Sequence, residues 1–414
     1  MLKKTIRTRW SLAKISKGIF FYALVLSVFL FFPFPSLAGK KLKEIKIPET
    51  LSPGLHHLLN IVGPENEESF KPHLIEKVLD FVLSADCTTS LYYADKKFDG
   101  TSAYYGFDIH QSLEHIIQLA FNPNIPSYAV APSSIRLSHW TEVGGQNQPL
   151  PEIWKLLPRL KQPVVVKGAE YVENTPDLFT GVYHGYHLNR TLCLFKYKNR
   201  NILISLSKQT GTSDVGKKGL VLGSDENWDY FYSGQKGLTK TGLGWVRSYM
   251  YDSASIIVYS EIDGDTSRVR CGVFKWLNAG WAEINMVRKK HIHRGLERFG
   301  KTFKAIMEYP SLPKTRELVK NFSRIEQLSL EGLKDRIKTY FRILEARYAD
   351  DSVLLKKYFS DFFDDGRYLS QMTREEMQSI LALEYMKNIL GKNQQFDESY
   401  FRKLAYIKGL NYQK

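Results

Sequence analysis

Cys271 to Met307, CGVFKWLNAGWAEINMVRKKHIHRGLERFGKTFKAIM, reads as a β-strand, a turn at Asn278-Ala279-Gly280, and a long amphipathic helix. Apolar side chains recur at Ile284, Val287, Ile292, Leu296, Phe299, Phe303 and Ile306, in steps of mostly three or four. Arg288, Lys289, Arg294, Glu297, Arg298, Lys301 and Lys304 are left for solvent. Pro310 follows the helix and ends it. If the helix runs unbroken from Ala282 to Met307 it spans roughly 39 Å, enough to cross an antiparallel sheet.

The residues before it supply that sheet. Val164-Val165-Val166, Thr180 to His187, Arg190 to Tyr197, Asn201 to Ser207, Trp228 to Tyr232, Gly244 to Tyr251, Ser255 to Glu261 and Ser267 to Leu277 are rich in β-branched and aromatic residues. Lys198-Asn199-Arg200 and Asp252-Ser253 read as hairpin turns. Short strands with no helices between them predict an antiparallel meander rather than a parallel α/β sheet. The fold class expected is α+β: an antiparallel curved sheet gripping a long amphipathic helix, with helical N- and C-terminal regions.

On the amino-terminal side, 39–160 reads as mainly helical, with helices over Pro72 to Leu83, Asp108 to Phe121 (Asp108 and Gln111 as a capping box) and Glu152 to Leu157. One short strand is expected at Ser127 to Ala131. On the carboxyl side, 311–414 reads as helical over Thr315 to Tyr348, Ser352 to Phe363 and Thr373 to Leu390. Thr373 and Glu376 form a capping box there, and Gly391 closes the end. The sheet and its helix occupy 161–310.

Residues 1–38 have the layout of a signal peptide. Six Lys/Arg and no acid precede an apolar run from Ile19 to Phe32, and Ser36-Leu37-Ala38 offers small residues for cleavage before Gly39. That run is shorter than the ~20 residues needed to cross a bilayer. Cleavage removes those six cations and lowers the net charge from +15 to +9. An exported, basic protein, periplasmic or secreted, suits an anionic membrane surface or cell-wall polymer, and export argues against nucleic acid as a partner. Cys87, Cys193 and Cys271 are too few for a disulfide scaffold. Cys193 and Cys271 are expected as buried thiols, with one bridge across the sheet as the alternative.

The meander whose last strand carries Lys275-Trp276-Leu277, followed by Gly280-Trp281 and the long helix, resembles the helix-grip fold of the START-like lipid-binding superfamily over about Pro163 to Met307. The resemblance is architectural and transfers no functional residues. It implies an apolar cavity between helix and sheet.

Candidate sites are of three kinds. Leu296, Phe299 and Phe303 lie on one helical stripe and Tyr249 and Tyr251 on one strand face, which makes them candidate walls of such a cavity. Gly211 to Lys218 approaches a phosphate loop but ends in Lys218 where a hydroxyl is needed, so a nucleotide site is not expected. Gly211, Gly216, Lys217 and Lys218 remain candidates to hold an anionic head group. Asp225, Glu226 and Asp229 sit among aromatics, as acids do in glycan or ester hydrolases. His110, Glu114 and His115 have helical spacing but no third metal ligand, and neither a metal nor a cofactor is expected. The leading expectation is a non-enzymatic, exported protein that binds an apolar or amphipathic small molecule, such as a lipid. A cell-envelope hydrolase and a helical scaffold or assembly factor are the alternatives.

Overall fold

The computed structural model describes residues 42–63, 68–85, 90–94, 100–178, 180–240, 244–262, 265–348 and 367–392. The expected signal peptide, Cys87 and the helix expected at Ser352 to Phe363 lie outside them.

In chain order the first elements are β1 (Lys43–Lys46), α1 (Ser52–Asn60), α2 (Glu76–Ser84), β2 (Ser90–Tyr93), β3 (Thr101–Ile109), α3 (Leu113–Ala120), α4 (Ser127–Val130) and β4 (Ile135–Val143). Next come β5 (Val164–Asn174), β6 (Val182–Tyr183), β7 (Gly185–Tyr197), β8 (Arg200–Gln209), β9 (Lys217–Val221), β10 (Tyr230–Lys236), β11 (Leu238–Lys240), β12 (Gly244–Val246), β13 (Tyr249–Ile262) and β14 (Asp265–Trp281). The chain continues with β15 (Ile284–Asn285), α5 (Lys289–Met307), α6 (Thr315–Glu326), α7 (Leu330–Arg347), α8 (Arg367–Gln371) and α9 (Arg374–Ile389).

A ten-stranded sheet has the order β1–β2–β3–β14–β13–β8–β7–β5–β4, with β15 beside β14. Its strand pairs of known register are all antiparallel. The β7–β8 connection is the expected hairpin: Lys198 and Asn199 have φ of 47° and 61°, the left-handed pair that matches strand twist.

Several local expectations are corrected. The turn after β14 falls at Ala282-Glu283, where both residues have positive φ, so the strand runs on to Trp281 and the helix starts at Lys289 rather than Ala282. Ala282 and Glu283 follow a strand long enough to pair with β13 along nearly its whole length, and ladder hydrogen bonding overrides the helical spacing there. Asp252-Ser253 pairs regularly with β14 just past a bulge between Met250 and Asp252, and is not a turn. Ser127–Val130 is a helical turn, Asp108 lies in β3, and α3 is capped by Ser112, whose Oγ accepts from the His115 amide. The segment before residue 160 thus carries helices together with β3 and β4, which complete the sheet.

The strands have two distinct faces. Tyr104, Phe274, Trp276, Ile256, Val258, Ile204, Phe195 and Cys193 point to one face and pack against Leu55, Leu58, Val78 and Val82 of α1 and α2. Gly272 is needed here, because a Cβ would sit 2.7 Å from Val82 Cγ1. On the other face lies α5, running alongside β3. The Thr101 hydroxyl donates to the Val287 carbonyl, the His293 ring meets Tyr105, and Lys304 Nζ donates to the Asp108 carbonyl. Gly300 permits the close approach, since a Cβ would lie 2.7 Å from Tyr105 and 3.0 Å from Phe107.

The opposite flank of α5 is held by residues bordering β4 and β5. Ser133 Oγ donates to the Arg298 carbonyl, and the Arg298 guanidinium donates to Pro176 O and to both Asp225 carboxylate oxygens. The curved sheet therefore grips the helix from two sides, as expected. The carboxyl-terminal helices close the same side: Thr315 of α6 bonds to Gln118 of α3, and α9 carries the expected Thr373/Glu376 capping box.

Candidate functional site

The face towards α5 changes character along its strands. Register places Phe107, Cys271, Tyr259, Leu203, Leu194 and Val164 at one level across β3, β14, β13, β8, β7 and β5. Two residues along each strand, the next level is Tyr105, Val273, Ile257, Ser205, Leu192 and Val166. Two further along, it is Ala103, Lys275, Ser255, Ser207, Arg190 and Gly168. The third level puts two cations and, between them, two hydroxyls side by side on four neighbouring strands. At ~4.8 Å per strand the row spans roughly 14 Å.

Burial is uneven across these levels: Val273, Ser205 and Leu192 of the second and Ala103 and Ser207 of the third are buried. Cys271, Leu203 and Leu194 of the first level are at most 1% exposed, and Phe303 of α5 covers Tyr259. Tyr105, Ile257 and Val166 of the second level are half-buried, as are Lys275, Ser255 and Arg190 of the third. Ile257 and Ser255 sit on β13, which is paired on both edges, so their remaining accessible surface faces the α5 side.

Lys275 is the central feature. Its ammonium donates to a neutral hydroxyl, Ser253 Oγ, at 2.5 Å. Burial first, then the Arg190 charge, lower its pKa to about 8, with Asp252 acting the other way. Arg190 at the other end donates to Glu170 Oε2 at 2.5 Å and to Ser205 Oγ at 2.9 Å, and Ser138 donates to the second Glu170 oxygen. Burial and the Glu170 charge push the nearby Tyr186 phenol up to about 12. Glu170 pairs directly with Arg190, whereas Lys275 has no carboxylate bonded to it and Asp252 acts on it only as a nearby charge.

The residues singled out by sequence fall in separate places. Leu296 and Phe303 are buried on the inner side of α5, while Phe299 is half-buried and meets Phe107 edge-on with ring centroids 6.2 Å apart. Tyr249 and Tyr251 lie at the far end of β13, Tyr251 in the bulge itself, and the Tyr251 hydroxyl accepts from the Glu283 amide. Ten residues, on the order of 33 Å of strand, separate Tyr249 from Tyr259. The structure does not bring the two aromatic groups together.

The glycine-rich loop has spent its polar groups on the fold. The Ser213 and Gly216 amides donate to Met250 O and Ser248 O, Lys217 pairs with Glu173 at 3.1 Å, and both lysines lie in β9. Asp225 is held by Arg298. Asp229, fully buried, accepts from Lys387 Nζ at 2.5 Å and from Arg347 and the Tyr348 hydroxyl at 2.7 Å each. Burial would raise the Asp229 carboxyl, but Lys387, Tyr348 and Arg347 together lower it. Glu226 is exposed in the intervening turn. Each of these two aspartates thus binds a structural cation that ties β10 and its neighbouring turn to a helix.

Cys193 and Cys271 are both buried and free, on opposite faces of the sheet, so no bridge can join them. Burial pushes both thiols up, Cys193 to about 12. His110 precedes α3 rather than lying on it, and among the described residues no group of three or more His, Cys, Asp or Glu could hold a metal ion. A cavity of about 210 Å³ opens at the other end of α1 among Leu59, Lys208, Ala254 and Trp276, below the ~300 Å³ usual for a small-molecule site.

Sequence reasoning missed the Lys275 row. The signal was present strand by strand, as Leu203-Ser205-Ser207-Gln209 and as Cys271-Val273-Lys275. Only the register aligns these gradients.

No protein-family model and no curated protein matches the chain. Among solved structures it is similar to one described as the human StarD13 (DLC2) lipid transfer and protein localization domain. Identity is 10%, 57% of this chain and 98% of that chain are covered, and the TM-score is 0.25. A likeness at that level carries no functional argument.

Proposed function

We propose that the protein is exported and carries an apolar or amphipathic small molecule, lipid being the leading class, in a space between α5 and the face of the sheet it covers. The observation that carries this reading is the half-buried state of Tyr105, Ile257, Val166 and Ser255 on the sheet face that carries α5 along β3, a helix whose own inner side is apolar. Side chains so placed would be sealed if the helix filled the groove, as α1 and α2 fill the opposite one. An apolar body would occupy the second level of the face, beside Ile257 and Val166. The basic start and short apolar run of residues 1–38 support export, and a mature charge of +9 supports approach to an anionic membrane surface.

Mass spectrometry of small molecules retained by protein purified from its native compartment tests the reading, together with titration by a fluorescent sterol and a fluorescent fatty acid. Saturable one-to-one binding of either is the expected result. Absence of binding by both, with no retained molecule, would overturn it. Amino-terminal sequencing of the same material checks export, the expected first residue being Gly39.

A further inference from the structure

Resting on the reading above, we propose that the Lys275–Ser255–Ser207–Arg190 row receives the anionic head group, carboxylate or phosphate, of the bound molecule. The four residues are successive cross-strand neighbours on β14, β13, β8 and β7, so their side chains rise from one face at one level. Ser207 Oγ and Ser255 Oγ lie 2.6 Å apart, so one donates to the other and the second keeps a hydroxyl proton for a further acceptor. An anion above them would accept from that hydroxyl and from the ammonium.

Charge supports the same assignment. Glu170 neutralises Arg190, whereas Lys275 points its ammonium at a serine and has Asp252 only as a nearby charge that burial and Arg190 outweigh. An ammonium removed from water without a counter-charge is unfavourable, and a carboxylate or phosphate supplies that counter-charge. The gradient along the strands fits too: the apolar second level adjoins the row, so chain and head group of one molecule would meet matching surfaces. The first turn of α5 flanks the β3 end of this row, since Thr101 bonds to Val287 O and Tyr105 meets His293.

The test uses the full mature chain, a pyrene-labelled fatty acid, the fatty alcohol of the same length, and inorganic phosphate. The acid is expected to bind roughly ten- to a hundredfold tighter than the alcohol, the range for hydrogen bonds to a charged group. Lys275→Met should reduce acid binding to the level of the alcohol and leave alcohol binding unchanged. Lys208→Met, one residue from Ser207 on the opposite face, should leave both unchanged. Equal binding of acid and alcohol by the unaltered protein would overturn the head-group assignment while leaving the carrier reading intact. So would an acid preference that survives Lys275→Met. Binding of neither lipid would overturn both, and saturable binding of inorganic phosphate without acid binding would mark a free-ion site and end the assignment.

Discussion

The two faces of one sheet have been packed to different ends. Towards α1 and α2, Phe274, Trp276, Ile256 and Ile204 are at most 3% exposed and their rings stack in mutual contact. Towards α5, residues one position along the same strands, Lys275, Ser255 and Ile257, keep accessible surface. Because side chains alternate across a strand, Phe274, Trp276 and Ile256 stabilise the scaffold from the sealed face while Lys275, Ser255 and Ile257 beside them keep accessible surface on the other. On the function proposed above, stability and binding are divided between faces rather than between domains.

That contrast can be broken or sharpened by substitution. The largest effect is expected from Phe274→Ala, which empties a fully packed site and should cost about 3–5 kcal/mol in denaturant unfolding. A loss below about 1 kcal/mol would show that the first face is not sealed.

Its neighbour Lys275 should respond with the opposite sign. The folded pKa of about 8 lies below the ordinary value of 10.5, so the folded state binds fewer protons between these values and stability rises with pH across that window. Below pH 8 the full penalty is present. Lys275→Met in the unliganded protein should therefore raise stability by about 3 kcal/mol at pH 7, the gain vanishing as pH rises to 10.5. Thermal melts across pH 6–10.5 check this, and a destabilised variant at pH 7 would place Lys275 in a satisfied structural role.

Gly272→Ala probes the sealed face by crowding. The added Cβ meets Val82 at 2.7 Å and Tyr104 Oη at 3.0 Å. Overpacking of this kind should cost about 1–3 kcal/mol.

The smallest effect is expected from Ile257→Ala. A half-buried isoleucine beside open space leaves little new cavity, so about 1 kcal/mol or less should be lost in the same unfolding assay. A cost equal to that of Phe274→Ala would mean that α5 closes the second face as tightly as α1 and α2 close the first.

A third region explains why the carboxyl-terminal helices stay docked. Lys387 and Glu384 of α9 are at most 1% exposed and Lys387 reaches both Glu384 and Asp229, while Arg136 of β4 bonds Glu173 and Glu376 beneath the Tyr232 ring. Buried charges of this kind are stable only when every partner is in place, which fixes α9 in one position.

The sequence by itself determined the elements whose signals are local. The apolar stripe from Ile292 to Ile306, the Lys198-Asn199 turn, the Thr373/Glu376 cap and the antiparallel grammar of the central strands each depend on residues close in the chain. The candidate site was decided by register and by contacts between distant segments. Lys275 and Arg190 are 85 positions apart and become members of one row only because β14, β13, β8 and β7 align within a single residue; a slip of one would turn each to the other face. The same tertiary pairing drew β3 from a stretch that reads as helical at Asp108, extended β14 through Asn278 to Trp281, and fixed the start of α5 at Lys289. Periodicity constrains which side of an element is apolar, whereas cross-strand hydrogen bonds fix which side chains share a level, and the chemistry of this face lies in the level.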